Sequence, residues 1–359
     1  MASSNVLVHS LHSLPVAVGD TDNRTVAKAM AIWLLICCAM VFAMVVVGGV
    51  TRLTHSGLSI VEWQPIVGAI PPLNDAEWQA TFAKYQQTPE FKLRNFDMGV
   101  DEFKGIFWWE YFHRLLGRLI GIVYLLPLLV FVARRHVSAT LAWKLGGILL
   151  LGAMQGAMGW YMVKSGLVDE PRVSHLRLTA HLALAFLIFA AQFWVALDLL
   201  KGERPRPAVP AGLVRFSRIL VAIVSLMVLS GGLVAGLRAG LAYNTFPLMH
   251  GHVVPPDMFV IDPWYANFIG NLATVQFDHR LIAWLLAALI PMLWWRVQRS
   301  NASRPAKWMA HGLLATLVAQ FTLGVATLLL GVPVAIAATH QAGAMVLFGV
   351  SLALAHELG

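Results

Sequence analysis

The sequence predicts an all-α integral membrane protein, with eight transmembrane helices arranged as two parallel-repeat four-helix bundles. Hydrophobic residues make up 58% of the 359-residue chain and charged residues 12%, whereas soluble domains carry about 25% charged residues. A helix needs about 20 mainly apolar residues to cross a hydrocarbon core. Eight stretches meet this requirement without the alternating pattern of a barrel strand. The expected spans are 27–50, 110–133, 142–163, 175–198, 214–236, 277–296, 309–331 and 333–355.

Charge distribution predicts the orientation of these spans. Lys and Arg cluster before the first span and after the second, fourth and sixth, so the positive-inside rule places both termini in the cytoplasm. The net charge of +8 then reflects topology and contact with anionic membrane lipid, and no nucleic acid is expected as a partner. Residues 1–26 lack the apolar run of a cleaved signal peptide and are interpreted as a cytoplasmic tail.

The two halves of the chain share three landmarks in the same order. These are Gly48-Gly49 with Gly231-Gly232, Gly57-Leu58 with Gly240-Leu241, and Gln155–Gly159 with Gln320–Gly324. Because each half has an even number of spans, both halves enter the membrane from the same side as parallel repeats. The predicted divisions are a tail 1–26, a first four-helix half 27–200, a cytoplasmic linker 201–213 and a second four-helix half 214–359.

Four histidines in apolar helices form a duplicated set: His113, His181, His279 and His340. The first of each pair stands in the motif (Glu or Gln)-x-x-His-Arg-Leu, which begins at Glu110 and again at Gln276. Each histidine is expected within about two turns of the outer end of its helix, so that all four lie at one depth. Any one of them alone would be interpreted as a packing residue. Their duplication favours two pairs of axial ligands for two planar iron cofactors.

The motif differs between the halves at one position. Glu110 lies one turn from His113 on the same face, where a carboxylate could transfer protons or stabilise positive charge. The alternative is an interfacial Glu favoured by the helix dipole. Gln276 keeps the hydrogen-bonding shape without the acid-base capacity, so one site is expected to perform chemistry and the other to hold a cofactor.

Several basic residues lie near the predicted cofactors. Arg114 and Arg280 follow the histidines directly and are candidates either for heme propionate contacts or for lipid head-group contacts. Arg52, His55 and Arg238 lie just beyond the first and fifth spans, where they could cap a cofactor. The sequence does not assign a role to these three, and a loop position is the simpler interpretation of His55.

From about Ala27 to the C-terminus, these motifs resemble the heme A synthases of the mitochondrial and proteobacterial branch. The resemblance implies an oxidoreductase that oxidises the C8 methyl group of heme O to a formyl group, giving heme A for cytochrome c oxidase. It implies that Glu110, His113 and His181 form the substrate heme O site, with Glu110 catalytic. It assigns His279 and His340 to a bound heme b.

The resemblance also implies a cellular setting. It places the protein in a bacterial or mitochondrial inner membrane, and the depth of the histidines in their helices predicts heme sites near the outer face. The expected partners are an unidentified electron donor or acceptor, heme O synthase and cytochrome c oxidase assembly factors, with a homo-oligomer left open. Some bacterial members have a cysteine pair in the outer loops, whereas both cysteines here, Cys37 and Cys38, fall in the first span.

Two alternatives come from other functional classes. A two-heme membrane cytochrome that only relays electrons, for example from quinol, would not need Glu110. A transporter built from parallel repeats would not need histidine pairs at one depth.

Overall fold

The structure is a computed structural model that describes residues 20–63, 67–167, 171–202 and 209–359. Its helices are α1 (Asp20–Leu53), α2 (Asp75–Tyr85), α3 (Pro89–Arg94), α4 (Val100–Ala133), α5 (Ala139–Lys164), α6 (His175–Lys201), α7 (Ala211–Leu237), α8 (Asn267–Gly270), α9 (Leu272–Gln298), α10 (Arg304–Leu329) and α11 (Val334–Leu358). Three short 3-10 helices cover Val67–Ala69, Ala239–Leu241 and Trp264–Ala266.

Eight helices are long and apolar enough to cross a membrane, which confirms the predicted all-α integral membrane class. They are α1, α4, α5, α6, α7, α9, α10 and α11. Residues 1–19 of the predicted tail and 203–208 of the predicted linker lie outside the described residues. The helix α1 already begins at Asp20, inside the segment predicted as tail.

Several spanning helices begin earlier than the apolar pattern predicts, and capping side chains account for two of them. The helix α4 begins at Val100 rather than near 110, and its first turn is fixed by the Glu102 side chain, which accepts the backbone N–H of Gly99 at 2.9 Å. The helix α9 begins at Leu272 rather than near 277, after the side chain of Asn271 accepts the backbone N–H of Thr274 at 2.9 Å. Hydrophobicity predicts the membrane-crossing part of a helix, whereas capping side chains set where the helix starts.

The helices of the two halves have matching neighbours. In the first half α1 and α5 each pack against α4 and α6, and in the second half α7 and α10 each pack against α9 and α11. The halves meet through α6 against α7, α1 against α11 and α6 against α11. These contacts support the prediction of two four-helix bundles, while their relation by an axis along the membrane normal stays a prediction.

Small residues allow the halves to approach closely. A Cβ atom added at Gly49 of α1 would lie 2.6 Å from Oε1 of Gln341 in α11, and one added at Gly232 of α7 would lie 3.0 Å from Oγ1 of Thr179 in α6. Gln341 also donates from Nε2 to the backbone oxygen of Val45 at 2.7 Å. The second glycine of each Gly-Gly pair therefore packs against the other half, as small residues do at helix interfaces in membranes.

An outer cap covers the start of α4. The short helices α2 and α3 pack against α4 through buried aromatic residues. Trp78 lies edge-on to Phe107 with ring centroids 4.9 Å apart, and Tyr85 stacks on Phe103 at 5.1 Å. This cap places the connection between α1 and α4 over the first half of the protein.

Candidate functional site

The structure brings the four predicted histidines together in two pairs. His113 on α4 and His181 on α6 belong to two helices that both pack against α1 and α5, and His279 on α9 and His340 on α11 belong to two helices that both pack against α7 and α10. Three of the four lie within about two turns of the start of their helix. His113 lies almost four turns into α4 because that helix begins early, so the prediction for its position in the helix was wrong.

Each histidine ring packs against a glycine of a neighbouring helix. A Cβ atom added to the glycine would meet the ring Cε1 atom at 2.6 Å for Gly48 and His113, 3.2 Å for Gly159 and His181, 3.3 Å for Gly231 and His279, and 3.0 Å for Gly324 and His340. These four glycines belong to the landmarks that repeat in the sequence. The repeated landmarks therefore supply the glycines against which the histidine rings pack, and each ring lies directly against helix backbone. We call each such glycine the seat of its histidine.

Neighbouring polar side chains hold the backbone at two of the histidines and orient the ring of a third. Gln155 donates from Nε2 to the backbone oxygen of His181 at 3.1 Å, and Gln320 donates equivalently to His340 at 2.9 Å. These glutamines begin the third repeated landmark, so they fix α5 to α6 and α10 to α11 beside the histidines. Nδ1 of His279 lies 2.8 Å from Oγ of Ser230.

The histidine pairs fit the group that the sequence predicts for them. Across the described parts of the chain, the Nδ1 atoms of His113, His181 and His340 are buried without a hydrogen-bond partner. An unpartnered buried nitrogen is costly, and a group from outside the protein would complete the bonding of such a ring. Two imidazoles from facing helices match the two axial positions of an iron already bound by a planar macrocycle. His279, oriented by Ser230, has the hydrogen bond that metal-binding imidazoles usually make.

Glu110 is buried and accepts four hydrogen bonds. Its Oε1 atom accepts from Nε of Arg114 at 3.0 Å and from Nη2 of the same residue at 2.6 Å. Its Oε2 atom accepts from Oγ of Ser59 at 2.7 Å and from the backbone N–H of Ile60 at 2.8 Å. Only 3% of the residue is exposed. The carboxylate thus has a fixed position, tied to the segment that follows α1.

Arg114 completes the attachment of that segment. It donates from Nη2 to the backbone oxygen of Ile60 at 2.8 Å and from Nη1 to that of Glu62 at 3.0 Å. These bonds could not be predicted from the sequence, because their acceptors are backbone carbonyls and not particular side chains.

The second half repeats this arrangement with an uncharged partner. Gln276 donates from Nε2 to the backbone oxygen of Ala239 at 2.8 Å. Arg280 donates from Nη2 to Oε1 of Gln276 at 3.2 Å and to the backbone oxygen of Tyr243 at 2.9 Å. Tyr243 occupies the same place in the repeat as Ile60. The propionate contacts expected of Arg114 and Arg280 stay predictions, and in this structure both guanidinium groups hold outer backbone.

Comparison with known proteins gives one family. The model of the COX15-CtaA family, described as cytochrome oxidase assembly protein, matches residues 31–352. A heme A synthase from Nitrosospira multiformis is 60% identical over 94% of this chain and 96% of its own length. Heme A synthases from Nitrosomonas eutropha and Paramagnetospirillum magneticum are 54% and 51% identical, over 98% and 92% of this chain and 99% and 94% of their own lengths.

Proposed function

The chain belongs to the COX15-CtaA family of cytochrome oxidase assembly proteins, and on this premise we propose that it oxidises the C8 methyl group of heme O to a formyl group, giving heme A for cytochrome c oxidase. Relatives that carry the name heme A synthase, at up to 60% identity over nearly the whole chain, support this activity. They disfavour the alternative of a cytochrome that only relays electrons.

One observation carries the proposal: two histidine pairs packed against repeated glycines, with Glu110 beside the first pair and the uncharged Gln276 at the equivalent position beside the second. In the first half, heme O as substrate is held between His113 and His181. In the second half, heme b as resident cofactor is held between His279 and His340. The glycine seats, the unpartnered imidazole nitrogens and the pairing of facing helices support both assignments. The bound heme irons supply the redox chemistry of the methyl oxidation.

Glu110 is the residue that distinguishes the substrate site. It lies one turn from His113 on the same face of α4, and its oxygens are fixed by Arg114, Ser59 and Ile60. A preorganised carboxylate beside the substrate stabilises positive charge or accepts a proton during oxidation without reorganising first. Gln276 provides the same attachment in the second half without the charge, which suits a site that only holds its heme.

The setting of the reaction follows from the membrane helices. The protein is an integral membrane protein by its eight apolar helices. We place both termini on the cytoplasmic or matrix side and the heme sites towards the outer face. The proposed partners beyond heme O are membrane lipid, an electron donor or acceptor, and the heme O synthase and cytochrome c oxidase assembly factors of the same membrane.

Heme extraction tests the proposed activity. The full-length protein is supplied with heme O in membranes, and the extracted hemes are separated by chromatography. We expect heme A to accumulate, and a His113→Ala variant to return heme O unchanged while it keeps its second-half heme. Heme O recovered unchanged from the parental protein, with the second-half heme still reducible, would favour the electron-relay alternative.

A further inference from the structure

Five basic residues meet where the two halves join at the ends of α1 and α7, and we call them the seam cluster: Arg52, His55, Arg94, Arg172 and Arg238. Arg52, in the last turn of α1, donates from Nη1 to the backbone oxygen of Ala235 in α7 at 2.9 Å. Arg238, which caps α7, places Nη2 3.0 Å from Nδ1 of His55. The partners in each bond are 183 residues apart, the spacing that relates Gly48 to Gly231. The two bonds at its centre therefore each join equivalent positions of the two repeats.

The backbone at the centre of the cluster adopts an unfavourable conformation. His55 has a φ of 56° and Arg238 a φ of 57°, in the left-handed region that favours glycine. Side chains retained at such positions occur preferentially at functional sites. Here the two side chains contact each other.

Positive charge exceeds negative charge among the described residues of the cluster and beside it, where Glu90 is an acidic neighbour. Burial lowers the pKa of His55, and Arg238, Arg94 and Arg52 lower it further. Burial also lowers the pKa of Arg238, as do Arg94 and Arg172, while the carboxylate of Glu90 acts in the opposite direction. Among the ion pairs of residues 20–63, 67–167, 171–202 and 209–359, none contains a member of the cluster. Such an excess of positive charge favours an anionic ligand.

The cluster lies next to the first histidine pair. Arg52 is four residues after Gly48, so it is on the same face of α1 as the glycine that seats His113, one turn nearer the helix end. Four of the five members come from the first half of the chain, and Arg238 alone comes from the second. The position equivalent to Arg52 in the second half is Ala235, so the second histidine pair lacks a matching arginine.

A heme carries both of its carboxylates on one edge of the ring. A heme with its iron between His113 and His181 and this edge turned towards α1 presents the carboxylates to the cluster. We propose that the seam cluster binds the two propionate carboxylates of the heme in the first half, an inference that rests on the proposed function. Arg114 already donates to Glu110, Ile60 and Glu62, and the seam cluster offers further donors for carboxylates. Arginine binds carboxylates through charge-assisted, often bidentate hydrogen bonds, and this binding selects and orients the substrate heme.

The test compares iron protoporphyrin IX with its dimethyl ester, which has the same ring but no carboxylates. Each is titrated into the purified full-length protein with its second-half heme in place, and binding is followed by Soret absorbance. A His113→Ala variant identifies the signal of the first site. We expect Arg52→Gln and Arg238→Gln each to weaken binding of the free acid at least 10-fold and to leave binding of the ester unchanged. The matched control Lys92→Gln, which removes a charge from α3 outside the cluster, should change neither.

Two results would overturn the inference: equal weakening of acid and ester, or no weakening of either, in both arginine variants with an intact second-half heme spectrum. Heme A formation is measured separately. Arginine-dependent preference for the acid in a protein that forms no heme A would refute the proposed function and leave this inference standing. Heme A formation without that preference would support the proposed function and refute this inference.

Discussion

At the scale of single residues, Glu110 and Gln276 are the difference on which the proposed duties of the two similar sites depend. Both side chains bond the following arginine and attach the outer segment of their half. An amide can make the bond to the arginine, as Gln276 does. The charge of Glu110 is therefore not needed for the bond to Arg114 alone, and under the proposed function it serves the reaction.

The substitution Glu110→Gln tests the role of that charge. The backbone N–H of Ile60 loses its acceptor. The amide oxygen still accepts from Arg114, so both hemes should still bind. We expect heme A formation to fall by about 10²- to 10⁴-fold, as for loss of an acid-base group, measured by chromatography of extracted hemes. The control Ser59→Ala removes one bond to Glu110 without changing charge and should alter the rate only a few-fold. Heme A at the parental rate in Glu110→Gln would mean that Glu110 only positions the outer segment.

The glycines that seat the histidines give a second prediction at this scale. A methyl group at Gly48 would lie 2.6 Å from Cε1 of His113, so Gly48→Ala must displace the ring, whereas Gly231→Ala meets His279 at 3.3 Å and requires a smaller shift. Overpacking costs about 1–3 kcal/mol, and we expect Gly48→Ala to weaken heme binding at the first site by about 10- to 100-fold. Heme titration measures the loss. Gly147→Ala, which meets nothing within 4 Å, is the control, and an effect of equal size there would refute the seat.

At the scale of elements, the helices were largely predictable and their outer connections were not. Apolar length predicts all eight spans, and the repeat predicts which histidines pair. The early starts of α4 and α9 depend on capping by Glu102 and Asn271, which hydrophobicity does not report. The contact between His55 and Arg238 joins residues 183 positions apart, so no local sequence pattern predicts it. The two residues occupy equivalent places in the repeat, and this equivalence is the signal that could have suggested the contact.

The outer cap formed by α2 and α3 contains a carboxyl group that makes its stability depend on pH. Burial and the charge of Glu110 raise the pKa of Glu90, Tyr85, Arg94 and Arg238 lower it, and the result is a pKa of about 7. The folded protein therefore keeps a proton that the unfolded chain releases near its ordinary pKa of 4.5. Stability contributed by this group is present below pH 4.5 and is lost as the pH rises to about 7.

The substitution Glu90→Gln should remove this dependence, because the amide stays neutral. We expect the variant to be more stable than the parental protein at pH 8, by about 3 kcal/mol at most, and to gain nothing at pH 4.5. Thermal unfolding at the two pH values measures the difference. A gain of the same size at both pH values would show that the effect comes from packing and not from charge.

At the scale of the whole molecule, each half of the chain contains one histidine pair, and we propose that the two halves hold hemes with separate duties. Each half seats two histidines on glycines of neighbouring helices, and the halves meet through the second glycine of each Gly-Gly pair. Family membership was predictable from the ordered motifs and is confirmed by the match over residues 31–352. The assignment of one half to the substrate and the other to a resident heme b is the central claim.

Absorption spectra and heme content of the four histidine-to-alanine variants test this claim most directly. We expect His279→Ala and His340→Ala to lose the low-spin spectrum of the second-half heme, because loss of an axial ligand opens the iron coordination. His113→Ala and His181→Ala should keep most of that spectrum and form no heme A. An unchanged bis-histidine spectrum in both second-half variants, or equal loss of both hemes from all four, would contradict two sites with separate duties.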